Sequence, residues 1–155
     1  MPSEQVPASF AALMAAAYFL HNADLLILEN QAGKVVYHSA GYVRLDWYST
    51  PASDAEVQRL YEAASEALLQ YGVTGILTDH RDMRPLSADL QHWLVSTWTQ
   101  QAVQDCGYQR AAVVQSFNVF SRLAAAQVVM QLGRLPLTVK YFDNEAEAES
   151  WLLEE

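Results

Sequence analysis

The most constraining feature of this chain is a change of hydrophobic period after Ser49. In "GYVRLDWYS", Gly41 to Ser49, the side chains alternate: Val43, Leu45 and Trp47 fall on one face, Tyr42, Arg44, Asp46 and Tyr48 on the other. From Asp54 to Tyr71 the apolar residues Val57, Leu60, Tyr61, Ala64, Leu68 and Tyr71 recur instead at helical spacing. Ser53 and Glu56 form the S-x-x-E pattern that closes a helix start, and Gly72 supplies a stop. A strand with one apolar face, followed at once by a helix with one apolar stripe, must fold the helix back onto the sheet.

The same switch then repeats to the end of the chain. "TGILTD", Thr74 to Asp79, is a buried-strand run, and Ser87 opens a helix carrying Leu90, Trp93, Leu94, Thr97 and Trp98 on one stripe until Gly107. A strand at Arg110 to Ser116 precedes a helix from Val119 to Leu132, which Gly133 and Pro136 terminate. Leu137 to Phe142 reads as the last strand, and Asn144 with Glu147 caps a final helix bearing Ala148, Trp151 and Leu152. Upstream, Asp24 to Asn30 and Lys34 to Ala40 join the alternating strand through short connections, which implies an antiparallel meander. The order β-β-β-α-β-α-β-α-β-α predicts an α/β fold: one domain with a mixed, mostly parallel sheet and right-handed crossovers. A chain of 155 residues, 52% of them apolar, supports one such core.

Residues 24–155 are assigned to this domain and residues 1–23 to an N-terminal helical extension. The apolar run from Phe10 to Leu20 is shorter than the roughly 20 residues a membrane span needs. It also lacks the basic start of an export signal. It is expected to dock on the domain or on a second copy of the chain. A net charge of −9 argues against nucleic acid and anionic lipid as partners. Cys106 is the single cysteine, so no internal disulfide forms, and a reducing, cytoplasmic setting is expected. His21, His38, His80 and His92 show no metal-ligand spacing, and no glycine-rich phosphate loop occurs, so neither metal nor cofactor is expected.

The stretches "VRLDW", "GILTDHRDM", "WLVSTW", "RAAVVQSFNVFSRLAA" and "VKYFDNEAEAESWL", in that order, resemble the STAS/SpoIIAA-like superfamily, and more closely a bacterial group of small STAS-like proteins. The resemblance runs from about Asp24 to Leu153. It implies a fold related to CRAL-TRIO-type lipid-binding domains. In STAS domains that antagonise anti-sigma factors, a serine opening the helix after the central strand is phosphorylated, within a pattern close to Asp-Ser-Ser-Gly. Here the matching place reads "PLSADL", which makes Ser87 the corresponding phosphoacceptor position without that pattern around it. At a helix start Ser87 is also a plain cap.

Asp79, His80, Arg81, Asp82 and Arg84 leave the carboxyl end of a central strand, the edge at which open α/β sheets bind ligands. Ser116, Asn118 and Asp143 leave neighbouring strands at the same edge. The charged set admits two readings. It is an acid/base and anion-binding group, or a loop in which Asp79 and Asp82 pair with Arg81 and Arg84. Trp47, Trp93 and Trp98 are either core or the wall of an apolar pocket. Three functions follow in order: a regulatory module working through protein contacts or as a homodimer, a carrier of a small apolar or anionic ligand, and an enzyme. The first needs an exposed apolar patch. The second needs a cavity of a few hundred Å³ or more. The third needs Asp79 or His80 in a cleft with a perturbed pKa.

Overall fold

The computed structural model describes residues 24–154. The expected N-terminal helix lies outside the described residues. Three strands come first: β1 (Asp24–Asn30), β2 (Gly33–His38) and β3 (Tyr42–Trp47). The helix α1 (Asp54–Tyr71) leads into β4 (Gly75–Asp79). Next, α2 covers residues 88–105, α-helical over Ala88–Trp93 and Thr99–Asp105 with a π-helical turn, Leu94–Trp98, between them. The chain continues through β5 (Arg110–Val114), α3 (Val119–Gln131), β6 (Thr138–Phe142) and α4 (Glu145–Leu152). The element order matches the periodicity reading.

The six strands lie in sequence order in one sheet. β1, β2 and β3 pair antiparallel, while β3 to β6 run parallel. This order fixes where the helices go. Three right-handed crossovers that all step the same way across a sheet must all lie on the same face. Leu60 and Leu68 of α1, Leu94 and Trp98 of α2 and Val128 of α3 therefore share a core with Val43, Leu45, Trp47, Ile76 and Ala111 of the strands. Only α4 remains for the other face, where Ala148 and Leu152 pack on Tyr42, Leu77, Ala112 and Val114. The alternation read for β3 holds: Val43, Leu45 and Trp47 meet the three helices, and Tyr42, Arg44 and Asp46 meet the α4 side.

Local signals close the elements as expected. At α1 the Glu56 N–H donates to Ser53 Oγ and the Ser53 N–H to Glu56 Oε1, both at 3.1 Å. Gly72 follows in the left-handed region with φ +65°. The stripe expected on α2 needs correction. Thr97 is only half-buried, whereas Leu90, Leu94, Trp98, Thr99 and Ala102 face inward. The π turn inserts an extra residue per turn, so Trp98 and Thr99 rotate toward the sheet together. No helix of the described residues is long and apolar enough to cross a membrane.

Candidate functional site

The charged residues after β4 split between the two faces of the sheet. Asp79 continues the alternation of β4 and points to the α4 side. There Arg44 Nε donates to Asp46 Oδ1 at 2.7 Å, its Nη1 to Glu145 Oε2 at 2.8 Å and its Nη2 to Asp79 Oδ2 at 3.2 Å. Arg81 holds both oxygens of Asp79, at 2.9 and 2.6 Å, and also donates to Glu145. Two guanidiniums thus serve three carboxylates, one of them on α4. Burial raises the Asp79 carboxyl, but hydrogen bonds from the Arg81 side chain and backbone, with the charges of Arg81 and Arg44, outweigh it and hold its pKa below the usual range. Asp46 goes the other way, since its burial exceeds what Arg44 returns. Glu145 falls to about 2, chiefly through the Arg44 hydrogen bond, against the effect of burial.

The pairing inside the loop is therefore only half of what the sequence suggested. Asp79 and Arg81 do bond each other. Asp82 and Arg84 instead lie exposed at the surface, with Arg84 Nη1 reaching the Ser49 carbonyl at 3.4 Å. Arg44 joins the network from 35 residues before Asp79, and Glu145 from 64 residues after Arg81. Period alone assigned Arg44 to the polar face of β3, and nothing in the sequence named its partners.

Ser87 sits exposed at the start of α2. Its Oγ accepts from the Leu90 N–H at 3.1 Å and donates to Asp54 Oδ2 at 2.9 Å. It caps its helix and ties that helix to the first turn of α1. With Trp47 and Arg84 it borders a groove of about 160 Å³. Asn118 caps α3, accepting from the N–H groups of Phe120 and Ser121 at 2.8 and 3.1 Å, and Ser116 Oγ accepts from the Asn118 N–H at 3.0 Å. Asp143 stays at the surface after β6. The three tryptophans gather around one ring: Trp47, Trp93 and Trp98 each lie against Tyr61, with centroids 5.0, 6.2 and 4.8 Å away.

His80 takes the opposite side from its neighbours. Its backbone N–H extends the ladder to the Val114 carbonyl at 2.9 Å, which turns the imidazole toward the helices, where it is 7% exposed. Burial lowers its pKa to about 4, opposed in part by the charge of Asp79, so the ring is neutral near pH 7. It borders a cavity of about 80 Å³ between the sheet, α2 and α3, with Tyr61, Trp98, Thr99 and Tyr108 on the other walls. The π turn of α2 supplies Trp98 and Thr99 to this wall, and local π geometry of this kind is frequent at functional sites. The volume falls short of the few hundred Å³ set for a carrier of a whole lipid.

The outer surface of α3 completes the picture. Ser121, Ala124, Ala125 and Val128 face the sheet, while Phe120, Leu123 and Met130 project into solvent, Phe120 72% exposed and Met130 75%. Phe117 and Val119 extend this patch at the start of the helix. Between Cys106 and Phe142 the chain carries Arg110, Arg122, Arg134 and Lys140 and no Asp or Glu, inside a sequence of net charge −9. The average charge conceals this basic stretch, although it is legible in the sequence. Among the described residues no cluster of His, Cys, Asp and Glu gathers to hold a metal.

A family model for SpoIIAA-like domains matches residues 48–153. The chain belongs to the SpoIIAA-like family. The match starts just after β3, so in this SpoIIAA-like domain the antiparallel meander lies outside the matched stretch, while both α3 and the His80 cavity lie inside it. No curated protein and no solved structure matches the chain.

Proposed function

We propose that this SpoIIAA-like domain is a regulatory binding module acting through protein contacts, and that its docking face is the outer surface of α3. The observation that carries this reading is the patch formed by Phe117, Val119, Phe120, Leu123 and Met130, all exposed on a soluble-type domain. Large apolar side chains grouped at a surface mark interaction sites. Arg122 and Arg134 flank the patch without an ion pair among the described residues. Charge complementarity therefore points to a protein segment with apolar anchors and acidic neighbours. The acid-rich remainder of this chain has that character, so self-association is one form the contact takes.

The Phe120→Asp, Leu123→Asp double variant tests the reading. Both side chains are exposed, so the variant keeps its fold and its circular dichroism spectrum. Light scattering measures self-association, and mass spectrometry after capture from the native host identifies partners. Loss of the captured partner or of the dimer in the double variant supports the reading. A partner retained at equal yield counts against it. So does binding to anionic vesicles that depends on the same two residues and occurs with no protein partner.

A further inference from the structure

Four polar side chains around the cavity under α3 are buried and lack a partner. The His80 imidazole, the Tyr61 and Tyr108 hydroxyls and the Thr99 hydroxyl accept and donate no hydrogen bond among the described residues, and their residues are 7%, 8%, 6% and 3% exposed. Among the described residues no fully enclosed side-chain nitrogen or oxygen lacks a partner. The polar atoms of these four therefore border open space, and all four residues line the 80 Å³ cavity, although His80 also lines a recess of about 10 Å³ and Tyr108 a groove of about 400 Å³. Buried polar groups are almost always satisfied, by protein, by water or by a ligand. Four such residues around one largely apolar chamber offer an occupant polar atoms to bond.

We propose that the cavity is a binding site for a small neutral organic molecule bearing one oxygen, of the short-chain alcohol or ketone class. Each part of this description comes from the walls. The occupant is neutral, because no Asp, Glu, Lys or Arg lines the cavity and the interior gives an unpaired charge nothing to bond. Arg122 lines an adjoining recess of about 10 Å³, at the limit for a single water, which shares His80 with the cavity. It carries oxygen, because a neutral imidazole offers one N–H donor and one acceptor nitrogen, and the hydroxyls offer both. It is small, because the volume is about half of the roughly 150 Å³ that takes up benzene, which leaves room for about three or four heavy atoms. Most of the remaining surface is apolar, Trp98, Leu94 and Val128 among it, and accepts a short hydrocarbon chain. The site is separate from the outer surface of α3 and stands whether or not that surface docks a partner.

The test uses the full chain, with acetone and 1-propanol as probes and acetate and propylammonium as charged controls of the same size. The carbon-bound proton resonances of His80 and the ring resonances of Tyr61 and Tyr108 report occupancy. Molecules of this size bind weakly, so titration extends to about 50 mM. The expected result is saturable movement of the His80 resonances with the neutral probes and none with the charged ones. Ala125→Leu, which fills the chamber from α3, abolishes it. Tyr61→Phe keeps the shape of the wall, removes one hydroxyl and weakens binding about two- to tenfold. The proposal is overturned by any of three outcomes. The neutral probes leave His80 unmoved, or the charged controls move it equally, or tightly held water contacts the imidazole and the probes do not displace it. Should Ala125→Leu fail to fold, an unchanged affinity in Tyr61→Phe overturns it alone.

Discussion

Glu145→Gln probes the network that fastens α4 to the sheet. Glu145 accepts from Arg44 at 2.8 Å and also from Arg81, and it opens the first turn of α4, where a carboxylate complements the helix dipole. Its pKa falls from the ordinary 4.5 to about 2. At 1.36 kcal/mol per pKa unit that corresponds to roughly 3 kcal/mol. The side chain is 43% exposed, so solvent screening reduces the figure to about 1–1.5 kcal/mol. Glutamine keeps the shape and removes the charge. The variant is therefore expected to lose about that much stability at pH 7. The sign of the pH dependence follows from a depressed folded-state pKa: the contribution is complete above 4.5 and vanishes as the pH falls toward 2. Urea unfolding of both proteins at pH 7, 5, 4 and 3, followed by tryptophan fluorescence, measures the difference at each pH. A gap that is absent at pH 7, or one that stays constant down to pH 3, refutes the assignment of Glu145 as the charged anchor of α4.

Two further expectations rest on single residues. Burial keeps the His80 ring neutral, so its carbon-bound proton resonances stay fixed from pH 8 to 5 and move only near pH 4, whereas a midpoint near the ordinary 6.5 contradicts the buried placement. Because the unfolded chain takes up that proton at the higher pH, acidification from 6.5 toward 4 lowers stability through His80. Gly33 lies so close to β3 that an added Cβ falls 2.1 Å from the Asp46 carbonyl oxygen, a backbone atom that cannot swing aside. Gly33→Ala is expected to cost about 2 kcal/mol or more in thermal or urea unfolding, and a loss under about 0.5 kcal/mol shows that the β2–β3 contact yields.

The order of elements was legible because each strand and helix announces itself through short-range period and caps. Ser53 with Glu56, Gly72, Ser87 and Asn144 all act where they stand in the sequence. Arg81 as a partner of Asp79 was legible, but Arg44 as its second partner and Glu145 as the further carboxylate on both arginines were not, since they meet only after the sheet has formed. The π turn escaped for a different reason. Nothing in "LVSTW" separates a π from an α turn, because the extra residue is held by tertiary packing of Trp98 and Thr99 rather than by local propensity. His80 was singled out as part of a charged loop, yet strand alternation alone sends it to the helix-covered face with Thr78, away from Asp79 and Arg81. Alternation counted past the end of β4 predicts that split.

In α3 one choice of residues accounts for both candidate sites. The helix is amphipathic by size rather than by polarity: serine, alanine and valine face inward, while phenylalanine, leucine and methionine face outward. Hydrophobic periodicity detects such a helix but not its orientation, because both faces are apolar. Small side chains against the sheet leave the chamber beside His80 unfilled. Large ones on the other side leave apolar surface without a cover. The two consequences are separable by substitution. Ala125→Leu adds volume inside and leaves the outer patch as it is, whereas Phe120→Asp changes the patch and adds nothing inside. If the chamber and the patch serve independent ligands, the effects of these two substitutions on stability and binding add. If a ligand in the chamber shifts α3, the effects couple, and the double variant departs from the sum of the singles.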